Sequence, residues 1–232
     1  MISSAFAVLA AAQLWLAVSL GRHWRATPHL LSAVPTLVCS ALVWDNAVIA
    51  VGSAAGAGPL LKAVSVPRFV AHALLTPFLV LWSLSAVDRA GLSWAGRTPV
   101  RAAAVGLTVL LVVLGALHDI LGLSLRAERW AGSLRYVNDA ASPAGPLPAI
   151  ISGLVVLAAG IVLWRRTGFV RLALTAGVMV AVSGAAASVP VLGNAGEVVL
   201  GIGLLLTVRR LLPLPHEGRR AHPVAPHRPR PR

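Results

Sequence analysis

Residues 30–52 read "LLSAVPTLVCSALVWDNAVIAVG". The stretch exceeds the ~20 residues that carry a helix across a bilayer, and its only ionisable oxygen side chain is Asp45. In a soluble helix, Asp45 and Asn46 would mark a wet face. In a membrane span an ionisable group costs at least ~2.5 kcal/mol near the centre and marks function. The solvent around this run therefore decides both the fold and the meaning of Asp45.

Composition selects the membrane. The chain has 232 residues, 57% hydrophobic and 12% charged. Soluble domains carry roughly 25% charged residues. Seven apolar runs can be drawn, over residues 2–20, 30–52, 69–87, 100–122, 148–164, 170–192 and 195–211. The expected fold is all-α: an integral membrane bundle of seven transmembrane helices over residues 1–212, followed by a basic, Pro/Arg-rich tail, 213–232. That tail, with almost nothing to bury, reads as disordered and cytoplasmic.

The net charge of +13 follows topology. Fifteen of the 20 basic residues fall in the first, third and fifth loops and the tail; Lys62, Arg68, Arg126, Arg129 and Arg135 fall on the other side. The positive-inside rule then puts the N-terminus outside and the C-terminus in the cytoplasm, in the cell membrane. The first run lacks a basic flank before it and has Arg22 and Arg25 after it, as a retained first helix does. A nucleic-acid partner is not expected, because the arginines flank apolar runs instead of covering a soluble face. The single cysteine, Cys39, excludes an intramolecular disulfide and a cysteine metal cluster. "RTPVRAAA" from Arg97 and "RTGFVRLAL" from Arg166 look alike, but arginine belongs at such helix starts and no duplication is inferred.

The polar residues of the spans gather on one side. Asp45 and Asn46 lie in the outer third of the second run. Arg68 and His72 open the third, on one helical face with Thr76. His118 and Asp119 close the fourth, and Asn194 and Glu197 open the seventh, sharing a face with Gly201. The inner halves offer mostly arginine at their ends. This pattern predicts an outward-facing polar pocket over an apolar floor. The fourth loop, from Leu123 to Leu147, is the longest and is placed to cover a site.

The only lysine, Lys62, lies in a loop, so the last helix cannot form a retinal Schiff base. Burial disfavours a charged carboxylate, and an acid in an apolar pocket can serve as a general acid at neutral pH. Glu197 and Asp45 are the acid-pair candidates, with His72, His118 and Asp119 as bases or hydrogen-bonding groups. Trp44 and Phe69 offer ring faces to a developing cation. Asn46, Arg68, Thr76 and Asn194 complete the candidate substrate wall.

With Trp44–Asp45 in the second helix and Glu197 in the last, the chain resembles the small seven-helix integral-membrane terpene cyclases of meroterpenoid pathways. Those proteins carry a tryptophan–acid pair in the second helix and another acid in the last. The acid after tryptophan is usually glutamate there and is aspartate here; an aspartate is usual in the last helix, where this chain has Glu197. The resemblance implies proton-initiated cyclisation of a prenylated, isoprenoid substrate, without diphosphate loss, metal or other cofactor. The Ala-, Gly- and Arg-rich, lysine-poor composition suits a GC-rich bacterium.

Two other readings use the same residues. Asp45, His72, His118, Asp119 and Glu197 are zinc-ligand types, as in a metal-dependent lipid hydrolase, although no HxxxH or HExxH pair is present. Pro35, Pro77 and Pro190 could break helices as in a small transporter or receptor, although no repeat accompanies them.

Overall fold

A computed structural model describes residues 2–140, 147–185 and 188–214. The chain is mostly helical. Its helices are α1 (Ile2–Ala26), α2 (Leu30–Ala55), α3 (Pro59–Leu75), α4 (Phe78–Arg89), α5 (Thr98–Ala116), α6 (Leu147–Thr167), α7 (Arg171–Ser183) and α8 (Pro190–Leu211). A 3-10 turn, Ser93–Gly96, precedes α5, and a π turn, Leu117–Leu121, extends it. Five helices are long and apolar enough to cross a membrane: α1, α2, α5 with its π turn, α6 and α8. Taken together, α3 and α4 make a sixth candidate, bent by 41°. The shorter α7 is apolar. The protein is thus membrane-embedded with several spans. Most of the expected tail, 213–232, and most of "SPAGPLP" lie outside the described residues.

Three expectations change. The third run was expected to be one helix over residues 69–87. It is two helices broken at Thr76–Pro77, and the first of them begins ten residues earlier, at Pro59. Pro77 has no N–H to give the Ala73 carbonyl and cannot continue a straight helix. The helix of the sixth run ends early, at Ser183, and the run's last residues belong to α8, which Pro190 starts as a first-turn proline. The fourth loop is not irregular: β1 (Leu125–Trp130) and β2 (Ser133–Asn138) pair antiparallel, Glu128 opposite Arg135. The all-α expectation therefore needs a β-hairpin added. Ala131 and Gly132 turn it at φ 46° and 84°, the positive values that two-residue hairpin turns require.

Pro35 sits inside α2 and deprives the Leu31 carbonyl of its helical donor. The fully buried Trp82 of α4 replaces it, its Nε1 donating to Leu31 O at 2.9 Å. Several hydroxyls in the spans return to their own helices: Thr36 donates to Ser32 O, Ser152 to Pro148 O and Thr207 to Gly203 O. Internal satisfaction of this kind is what an apolar solvent demands.

The helices form a ring in the order α1, α2, α3–α4, α6, α7 and α8, with α8 returning to α1; α5 flanks α3–α4. Glycines allow the close approaches. A Cβ at Gly160 of α6 would lie 2.6 Å from the Ala173 nitrogen of α7, and one at Gly201 of α8 would lie 2.8 Å from Leu16 Cδ1 of α1. Small residues at helix crossings are the usual means of packing in lipid. The main core, including Leu16, Leu20, Leu31, Trp82, Leu204, Leu205 and Val208, fills the arginine-rich half. The hairpin closes the other half, where Leu134 and Tyr136 pack on Val48 and Leu61. Ser53 Oγ donates to Gly132 O at 2.7 Å, and Gly52 leaves room for the Leu134 backbone.

Candidate functional site

Between this hairpin-capped end and the apolar core lies a cavity of about 360 Å³. Its wall carries Asp45 from α2, Arg68, Phe69 and His72 from α3, Thr76 at the break, Asp119 from the π turn, and Asn194 and Glu197 from α8. Residues separated by up to 152 positions in sequence thus share one chamber. Val38, Leu42, Leu75 and Pro148 supply apolar surface.

One network organises the polar wall. Arg68 Nε donates to Asp45 Oδ1 at 2.6 Å, and Asn194 Nδ2 donates to Asp45 Oδ2 at 2.8 Å. Both oxygens of Asp45 are therefore engaged. Asn194 Nδ2 also reaches Asn46 Oδ1 at 3.2 Å, while Asn46 Nδ2 donates to Leu42 O within α2. Arg68 Nη1 donates to the Tyr136 carbonyl at 3.3 Å, which ties the ion pair to the hairpin. The Arg68 guanidinium lies 5.6 Å from the Phe69 ring centre. The two side chains of the pair are only 10% and 21% exposed, so its geometry is held tightly and its desolvation is substantial.

Glu197 differs from Asp45. It lines the same cavity, but its Oε2 is buried and has no hydrogen-bond partner among the described residues. The anticipated Asp45–Glu197 acid pair is thus two unlike acids: one held in an ion pair, the other with an open valence.

The remaining candidates divide. His72 is exposed and lines the cavity. His72 and His118 both act electrostatically on Asp119. His118 does not line the cavity, and its carbonyl accepts from Asn138 Nδ2 at 3.3 Å. Asn138 also accepts from the Ser124 and Ala140 nitrogens through Oδ1, and so locks the hairpin to the π turn that presents Asp119. π turns occur often at functional positions, because they re-aim side chains within a helix. Asn46 is fully buried behind the wall. Trp44, expected to face the ligand, instead lies exposed on the outer surface and donates from Nε1 to Val64 O at 3.0 Å. The helical turn that aims Asp45 inward aims its neighbour Trp44 away.

Outside the pocket, the hairpin has its own ion pairs. Arg126 Nε donates to Asp139 at 2.6 Å; that hydrogen bond and the carboxylate charge push the guanidinium further toward its protonated form. Arg135 meets Glu128 at 2.7 Å. Among the described residues, no three His, Cys, Asp or Glu side chains come together as a metal-ligand set. One deep residue escaped the sequence reading: Gln13 of α1 is fully buried. The signal was present, since it is the only glutamine in the chain and interrupts an apolar run.

No family model matches the chain, and no curated protein or solved structure matches it.

Proposed function

We propose that the protein is an integral-membrane cyclase that protonates a prenylated, isoprenoid substrate in this cavity, with Glu197 as the proton donor. The observation that carries the reading is the open valence of the Glu197 carboxyl in a chamber with apolar surface, while the neighbouring Asp45 is tied down by Arg68 and Asn194. Seven crossings of the cell membrane, with the C-terminus in the cytoplasm, put the cavity mouth on the outer side. The bent α3–α4 pair then counts as one crossing and α7 as another.

In this mechanism the neutral Glu197 carboxyl gives its proton to a terminal alkene or epoxide of the substrate. The resulting cation is attacked by an internal double bond, which closes the ring. His72 at the mouth, assisted by Asp119, removes a proton from the final cation. Transfer of a proton back to Glu197 resets the enzyme, so the overall change is an isomerisation that consumes no co-reactant. Asp45, Arg68 and Asn194 form a polar clamp beside the donor for an oxygen of the substrate. The apolar surface holds the hydrocarbon chain and excludes water, which would otherwise capture the cation. No three His, Cys, Asp or Glu side chains among the described residues gather as a ligand set, which gives less support to a metal-dependent hydrolase.

The test is turnover by purified protein in lipid vesicles, supplied with a prenylated aromatic. Wild-type protein should cyclise it with or without chelator, and Glu197→Gln should fall by at least the ~100-fold typical of losing a general acid. Full activity in Glu197→Gln, or hydrolysis of a lipid that stops with chelator, would overturn the reading.

A further inference from the structure

Gln13, like the Ser83 hydroxyl, differs from most buried polar side chains of the spans. Thr36, Ser65, Ser152 and Thr207 all donate to carbonyls of their own helices. Gln13 is 0% exposed, and neither its Nε2 nor its Oε1 has a hydrogen-bond partner among the described residues. An amide in that state costs free energy that an aliphatic side chain would not. Its position suggests where its partner lies. A Cβ at Gly201 would sit 3.6 Å from Gln13 Oε1 and 3.5 Å from Cys39 Sγ. Gly201 is one turn past Glu197 on the same face of α8. The glycine therefore opens a slot through which α1 brings an amide to the level just beneath the proposed donor.

The unsatisfied groups are complementary. The amide N–H can donate to a carboxyl oxygen, and the amide carbonyl can accept a carboxyl O–H. If a water lies between them, Gln13 Nε2, Gln13 Oε1 and Glu197 Oε2 give it the two to four polar partners that a buried water needs.

We propose that Gln13 is a positioning residue for Glu197, its side-chain amide linked to the carboxyl through one buried water beneath the cavity. This deepens the cyclase reading and rests on it for its catalytic meaning. The contact fixes which carboxyl oxygen faces the substrate and holds the acid in one rotamer between turnovers.

The test is infrared difference spectroscopy of the full-length protein in lipid, with the Glu197 carboxyl band identified by its loss in Glu197→Gln. Gln13→Leu and Gln13→Met remove the amide while keeping an apolar side chain of similar length; the unbranched Met variant serves if the Leu variant does not fold. In a variant whose helical circular dichroism is unchanged, the Glu197 band should shift in frequency, and kcat should fall with KM unchanged. A band that stays in place in a folded variant overturns the inference. The two proposals can fail separately. A shifted band in a protein that turns over no prenylated substrate keeps the contact and removes the cyclase reading. Turnover with an unmoved band does the reverse.

Discussion

Breaking the Asp45–Arg68 pair from one side is the sharpest test of the site's architecture. The pair joins α2 to α3 at 2.6 Å, with side chains 21% and 10% exposed. At an effective dielectric of about 20, attraction at that distance is roughly 6 kcal/mol before desolvation is counted. Desolvation offsets much of this, so the pair adds little net stability. Removing one partner is different, because it strands the other charge. That costs about 3–5 kcal/mol when burial is complete, and the residual exposure of Asp45 reduces the expectation to about 2–4 kcal/mol. Arg68→Gln leaves the Asp45 carboxylate with the Asn194 amide alone; Asp45→Asn leaves the guanidinium with the Tyr136 carbonyl. The double variant removes both charges and should lie within about 1 kcal/mol of the wild type. Reversible denaturant unfolding in micelles, followed by tryptophan fluorescence, gives the full double-mutant cycle. Single variants near wild-type stability, or a double variant that loses the sum of both, would refute the ion pair as described.

Other expectations follow from single contacts. Trp82→Phe should destabilise the protein by about 1–3 kcal/mol, because the Leu31 carbonyl loses its donor; in a Pro35→Ala background, where the helix supplies its own N–H, the same change should cost measurably less in the same unfolding assay. Ala131→Gly should leave stability unchanged or raise it by about 1 kcal/mol, since it relieves a left-handed alanine in the hairpin turn. Gly52→Val should push the Leu134 backbone off α2, which faster amide hydrogen exchange across residues 133–138 would reveal.

The helices were legible because lipid imposes one rule, a long apolar run, and residues 30–52 obey it. The gathering of Asp45, Arg68, His72, Asp119, Asn194 and Glu197 was legible from their places along the spans, and all six line the cavity, although Arg68 and His72 lie in the second half of α3 and do not open it. Pairing was not legible. Asp45 finds Arg68, 23 positions away, and Asn194, 149 positions away, only once the ring of helices is assembled. The hairpin was missed because β1 and β2 are short and charged, and are stabilised by Tyr136 and Leu134 packing on helices distant in sequence. Trp44 was misaimed because adjacency to Asp45 was taken as proximity to the ligand, whereas neighbours on a helix diverge by about 100°. The break at Pro77 was visible as a proline, but not the packing around it, where Gly115 of α5 leaves room for the Ala73 carbonyl, which a Cβ there would approach to 3.0 Å.

The measurement that bears most directly on the central claim is turnover of a prenylated aromatic in heavy water, with the product read by mass spectrometry. When the prenyl chain ends in an alkene and not an epoxide, a proton-initiated cyclase must place solvent-derived deuterium on the carbon it first protonates, and Glu197→Gln must abolish that product. Wild-type protein that leaves the substrate intact, or that forms a ring without taking up deuterium, would contradict the account.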